Sequence, residues 1–156
     1  MLPAGVVGYK PTLQKGRRSM SDILTARKFV YTVLSGDGTL TGLVSKIADD
    51  LAPDGTATPY IVVSKQSPQQ AVTTVNNQVI YFDETILVKA IDDQPGYGRL
   101  GPIINRVRAL LQRASGTTVG GVVIGCTETG PGVEFAEIDS GRTFRHLGIL
   151  FRVLTQ

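Results

Sequence analysis

Gly96, Tyr97, Gly98, Arg99, Leu100 and Gly101 match the dinucleotide fingerprint G-x-G-x-x-G. They fall between a strand pattern and a helix pattern, and Glu128 ends a later strand pattern. In a site of this kind the glycines let backbone N–H groups meet a pyrophosphate at a helix N-terminus. Three features oppose that chemistry. Asp92, Asp93, Gln94 and Pro95 separate the strand from the first glycine, so the tight turn is absent. The preceding strand alternates apolar with charged residues, unlike the buried first strand of a parallel sheet. Asp92 and Asp93 would also repel the phosphate.

The other reactive residue types are isolated. His146 is the one histidine, so a metal site of His and Cys ligands is not available. It falls in the last strand pattern, where a structural or interface role is expected. Cys126, inside Val-Val-Ile-Gly-Cys, reads as a small buried hydrophobe, and no base stands near it in sequence to activate a thiolate. Asp49-Asp50 and Asp92-Asp93 are adjacent pairs in turns; nothing resembles a calcium loop, and solvated acids are expected. No catalytic residue, metal ligand or cofactor follows from these residues.

Charge is more informative than reactivity. The net charge of +3 hides a segregation. Residues 1–28 carry six basic groups, among them Lys10, Lys15, Arg17 and Arg18, against Asp22 alone. Residues 29–98 carry Lys46, Lys65 and Lys89 against eight acids. Residues 99–113 carry Arg99, Arg106, Arg108 and Arg113 and no acid. Arg99, Arg106 and Arg113 recur every seven residues and would line one flank of a helix. Such blocks suit a polar partner surface, or copies meeting positive to negative; a plainly solvated arm and helix face is the alternative. A nucleic-acid partner is the other reading of a basic tail, but no aromatics interleave with the arginines for base stacking.

The elements that position these residues follow from period. Residues 1–20 hold three glycines and two prolines without a sustained period and read as an extended or disordered arm. A helix is predicted over 21–34, with Ser19 and Asp22 as a capping box and Ile23, Ala26, Val30, Val33 and Leu34 on one stripe. Gly36 and Gly38 stop it, a turn spans 39–44, and a brief strand follows over 46–49. Residues 60–65 read as a buried strand. Residues 66–77, including Gln66, Ser67, Pro68, Gln69, Gln70, Asn76 and Asn77, form a long polar loop or the frayed tip of a hairpin. Residues 79–90 alternate as a half-exposed antiparallel strand. Glu84 interrupts its apolar face, at a bulge or the sheet rim. A helix over 100–114 carries Leu100, Ile103, Ile104, Val107, Leu110 and Leu111 on one stripe. Further strands are predicted over 122–127, weakly over 133–138, and over 143–154, the last central or covered on its second side by a partner. The expected fold is α+β: a mostly antiparallel sheet of five to six strands packed by two main helices, with residues 21–156 as one domain.

The chain has 156 residues, enough for an independent core. Its N-terminal charges follow the apolar residues, against the order of a signal peptide, and no apolar run is long enough to span a bilayer. A lone cysteine excludes an internal disulfide.

In order along the chain stand a first amphipathic helix, Ala52-Pro53-Asp54-Gly55-Thr56, Pro59-Tyr60-Ile61-Val62-Val63, a polar hairpin loop, and the alternating strand 79–90. The arginine-bearing helix and the closing Arg145-His146-Leu147-Gly148-Ile149-Leu150-Phe151-Arg152-Val153 complete the series. Over residues 21–154 this order resembles the tail-terminator or tail-completion proteins of tailed bacteriophages, which cap the head-proximal end of a tail tube. The basic arm has no match in that family. The resemblance implies a non-enzymatic virion protein, assembled in the host cytoplasm, without cofactor or membrane contact. It implies a homohexameric ring that binds the tail-tube protein on one face. On the other it binds a neck or head-completion protein below the portal, with DNA passing through the lumen without sequence-specific contacts. A ring of identical copies needs a head-to-tail contact. Under this reading the arm and the four helix arginines meet Asp49, Asp50, Asp83 or Glu84 of the next copy, and residues 66–77 project axially. Another neck or head-completion protein, or a tail-tube subunit, is the alternative of similar composition. A nucleic-acid-binding module or a nucleotide-binding enzyme is less favoured.

Overall fold

The structure is a computed structural model and describes residues 22–156. The basic arm therefore lies outside the described residues, as do Lys10, Lys15, Arg17 and Arg18. The described chain is α+β, an eight-stranded sheet with three helices on one face. Helix α1 (Thr25–Ser35) buries Ala26, Phe29, Val30 and Leu34, which recur at helical spacing. Its start differs from the expectation at Ser21. The Asp22 N–H donates to Gly120 O, and Asp22 Oδ1 accepts from the Leu24 N–H, so the chain turns once before the helix opens. Ile23 consequently falls off the buried stripe, 61% exposed, and Phe29 takes its place.

Helix α2 (Gly38–Leu43), read from sequence as a turn, exists because Asp37 caps it and Leu40 anchors it. The Asp37 carboxylate accepts from the Leu40 N–H at 2.7 Å, and Leu40 is fully buried. Helix α3 (Leu100–Leu111) buries the expected stripe: Leu100, Ile103, Ile104, Val107 and Leu111. It ends before residue 114, because Arg113 adopts a left-handed φ of 65° and its N–H donates to Cys126 O.

Strands β1 (Lys46–Asp49), β2 (Tyr60–Lys65), β4 (Val79–Asp92), β8 (Arg142–Thr155), β6 (Gly121–Glu128) and β5 (Gly116–Thr118) lie side by side in that order. Strand β3 (Gln70–Thr73) continues the β2 edge of β4, and β7 (Val133–Asp139) continues the β6 edge of β8. Only β1 and β2 are parallel. The central pair β4–β8 runs in unbroken antiparallel register from Phe82↔Thr155 to Asp92↔Arg145. Its strands exceed the expected ends because the flanking residues still find partners in the ladder. Strands β3 and β5, absent from the sequence expectation, are short and carry no apolar alternation. They exist as hairpin partners of β4 and β6. The polar stretch 66–77 is thus a hairpin with a strand inside it.

Ile61, Val63, Ile86, Val88, Ala90, Val123, Cys126, Ile149, Phe151 and Val153 face the helices and form the main core with them. Burying each large apolar side chain contributes about 1.5–3 kcal/mol. The opposite face carries a smaller cluster of Ala48, Val62 and Ile91, with Ala52, Tyr60 and Phe144 against it. Ala52 belongs to the connection from β1 to β2, which crosses on this second face. That crossover contains a cis Thr58–Pro59 peptide. Because β4 and β8 are antiparallel, the β3–β4 turn and the β7–β8 turn lie at opposite ends of the sheet. Among the described residues no helix is long and apolar enough to cross a membrane.

Candidate functional site

The charges expected to meet across copies are largely satisfied within the chain. Arg106 reaches from α3 to the Asp37 cap of α2, with Nε and Nη2 donating at 3.0 and 2.6 Å. That fork holds the Asp37 carboxyl down to about 2, helped by the Leu40 N–H. Arg108 makes a second bidentate pair with Glu128 on β6, at 2.8 and 3.0 Å, and lowers the Glu128 carboxyl below its ordinary range. Arg99 stands 3.4 Å from Asp92. Arg113 lies past the helix end and is exposed. The single arginine flank is therefore dispersed: two guanidiniums tie α3 to α2 and β6, one sits at its entrance, and one leaves the helix.

The acids behave likewise. Asp49, the last residue of β1, and Asp50 after it approach Arg27 of α1 at 2.9 and 3.7 Å, so these exposed acids also have a partner within the chain. Asp83 accepts from Arg152 across the central pair at 2.5 and 2.8 Å. Glu84 sits neither at a bulge nor at the rim. It lies in register opposite Val153, 1% exposed on the helix-covered face, with Lys65 Nζ 3.0 Å away. The bulges fall at Ile80, near the start of β4, and at Ile124 in β6 instead. Sequence reasoning missed these pairings because each joins residues far apart in the chain.

The glycine-rich segment forms the loop into α3. Gly96 adopts a φ of 77°, and the Leu100 and Gly101 N–H groups donate to Tyr97 O rather than pointing outward. The neighbouring acids are engaged: Asp92 with Arg99, Asp93 with Thr58 and Arg142. The Thr58 hydroxyl and then Arg142 lower the Asp93 carboxyl. Cys126 is fully buried in the main core, and burial pushes its thiol up to about 12. Among the described residues no group of three His, Cys, Asp or Glu side chains could hold a metal ion.

Of the predicted axial loop, Gln70 lies on β3 and Asn77 takes a left-handed φ of 58° in the turn to β4. Beside it stands a feature not expected from sequence. Val75 is fully exposed (102%), and Val79, Ile80, Val119, Val122 and Ile124 are exposed as well. Gln156 joins them laterally: its backbone pairs with Val122, and its Nε2 donates to Ile80 O. One end of the sheet therefore presents an apolar rim.

At the other end, on the face away from the helices, lies a cleft of about 730 Å³ between residues 51–58 and the β7–β8 hairpin. Its floor is Tyr60, Ile91 and Phe144, and His146 lines it. The His146 ring stacks on Phe135 at 4.3 Å. Burial, then the Lys89 charge, lowers its pKa, while Glu137 opposes the shift.

No family model matches this sequence, and no curated protein matches it. Among solved structures the chain is similar to one in a structure described as "Virion of native gene transfer agent (GTA) particle", with a TM-score of 0.64. The identity is 17%, and the match covers 84% of this chain and 94% of that one, so the two share a fold.

Proposed function

We propose that this chain is a structural protein of a tailed, phage-like virion, and within it the terminator ring that ends the tail tube and joins it to the neck. The observation that carries the reading is the common fold with a virion-particle chain, over almost all of that chain's length. Independent support comes from the apolar rim at the β3–β4 end. An exposed apolar patch on a small protein marks a docking surface, and this one stands where an axial partner would meet a hairpin tip. The dispersed charges also fit. Pairs made inside the subunit fix its shape, which a ring acting through geometry requires. The work of such a ring is to offer one face to the last tube subunits and another to a neck protein, while leaving a lumen for DNA.

Purification of the full chain, followed by mass measurement and negative-stain imaging with tail tubes, tests this. The expected result is closed rings, hexameric in mass, bound at tube ends. Self-stacking tubes would instead identify a tube subunit, and monomers that ignore tube ends would remove the terminator reading.

A further inference from the structure

The cleft beside the β7–β8 hairpin is built for a cation. Three carboxylates line it, Asp54, Glu137 and Asp139, against one guanidinium, Arg142, which Asp93 already holds. His146 is only 5% exposed, and neither ring nitrogen has a hydrogen-bond partner among the described residues. Its Nε2 stands 3.4 Å from Glu137 Oε2, close enough for ion pairing but without a directed hydrogen bond. A buried polar group without a partner calls for a ligand or a second polar group. With its pKa lowered, the imidazole is neutral at pH 7 and offers a free lone pair. A donor placed there would satisfy both the imidazole and the Glu137 carboxylate, beside Tyr60; the Phe144 ring already carries the Arg142 guanidinium, 5.4 Å from its centroid. Beside the cleft, β7 pairs among the described residues only with β8, so its outer backbone edge can accept an extended segment.

We propose that this cleft receives basic side chains from residues 10–18 of a neighbouring copy of the chain. The assignment to a neighbouring copy rests on the ring reading above. Residues 1–20 carry Lys10, Lys15, Arg17 and Arg18 and no acid, which complements the acidic lining. The described chain begins at Asp22, held against Gly120 at the β5–β6 turn. That turn lies at the end of the sheet remote from the β7–β8 turn. The four or five residues between Asp22 and Arg18 or Arg17 span at most about 17 Å, whereas the 14-residue β8 is about 45 Å long, so these side chains fall short of their own cleft and a neighbouring copy's is the one left to them.

Two isotopically distinct populations of the full chain provide the test, one Gly16→Cys and the other Ser140→Cys. They are mixed under mild oxidation and read by intact mass. Cys126 is buried and does not compete. The expected result is a mixed disulfide with Ser140→Cys and none with Asn76→Cys at the opposite end of the sheet. Glu137→Lys with Asp139→Lys in the acceptor should abolish it, and Glu137→Gln with Asp139→Asn should weaken it should the reversal unfold the chain. Equal trapping at both positions, trapping undiminished by neutralisation, or, in a further Gly16→Cys/Ser140→Cys double variant, disulfides formed only within one chain would each overturn the docking. Assembly mass on the same samples separates the two ideas. Rings without trapping overturn the docking and leave the ring reading standing; trapped pairs that never close support the docking and overturn the ring.

Discussion

Glu84 lies on the helix-covered face of β4 with its side chain fully out of solvent, and Lys65 Nζ approaches it to 3.0 Å from β2. The approach is close but poorly directed, since neither carboxylate oxygen makes a well-aligned hydrogen bond among the described residues. Burial raises the Glu84 pKa above 4.5, and Lys65 offsets part of that rise. The folded protein thus holds the Glu84 proton more tightly than the unfolded chain does. This group's unfavourable contribution grows as pH rises above 4.5 and is complete above the folded value. Removing one member of a buried pair costs about 3 kcal/mol, because the other charge is left uncompensated. Urea denaturation of Lys65→Met should show a loss of that size at pH 7 and a smaller one at pH 4. Glu84→Gln should lose far less, because Lys65 retains a path to water. Equal losses in the two variants would contradict this account.

The Asp37 carboxylate caps α2 and receives the Arg106 fork, so it joins two helices at one atom group. Its pKa is lowered from 3.8 to about 2. Its stabilising contribution is present above 3.8 and is lost as pH falls toward 2. Thermal melts of Asp37→Asn should lose this acid-limb dependence while keeping the cap, since Asn is also a strong N-cap residue. Asp37→Ala removes both and should melt lower than Asp37→Asn at pH 7. Identical acid limbs in the parent chain and Asp37→Asn would refute the assignment.

Gly148 of β8 stands between Lys89 of β4 and Val133 at the start of β7. A Cβ there would meet Val88 O at 3.0 Å, Leu87 Cδ1 at 3.1 Å and Lys89 Cα at 3.3 Å. Two of these are backbone atoms in the central strand pair and cannot turn aside. Gly148→Ala should therefore destabilise by about 1–3 kcal/mol, as overpacking does. Gly125→Ala, in β6 with nothing within 4 Å of its Cβ, is the control and should stay near the parent value. Denaturation midpoints compare the two directly.

The readable parts of this fold are those governed by a period. The α3 stripe from Leu100 to Leu111 and the helix-facing Ile86, Val88 and Ala90 of β4 follow from residue spacing alone, and the structure keeps them. The half-exposed reading of β4 fails toward its end, where Leu87 and Ile91 are buried on the second face as well, while Ile80 is exposed. Elements made by a single tertiary contact were not readable. Helix α2 depends on the Asp37 cap and on burial of Leu40, and β3 exists only because Tyr81–Asp83 offers it a partner edge. The same limit applies to the charged residues. Spacing by seven puts Arg99, Arg106 and Arg113 on one line, yet Asp37, 69 residues before Arg106, decides what that arginine does. The apolar rim was invisible for the converse reason. Val75, Val119 and Ile124 look like ordinary hydrophobes until the sheet topology leaves them without cover.

That dispersal changes how the arginine contribution to assembly must be tested. Arg106→Glu would place a carboxylate against Asp37, so it should lower the melting temperature of the isolated subunit whatever the ring does. Arg113 has no such partner recorded among the described residues; its backbone N–H, not its guanidinium, is what holds it to Cys126 O. Arg113→Glu should leave the melting temperature close to that of the parent chain. If Arg113 meets acids of the next copy, the same variant should weaken assembly, and raising the salt should weaken the parent's assembly as well. Sedimentation velocity at low and high salt reads both effects. Unchanged assembly in Arg113→Glu at low salt would remove this residue from the contact, and a lost fold would show that its role is internal.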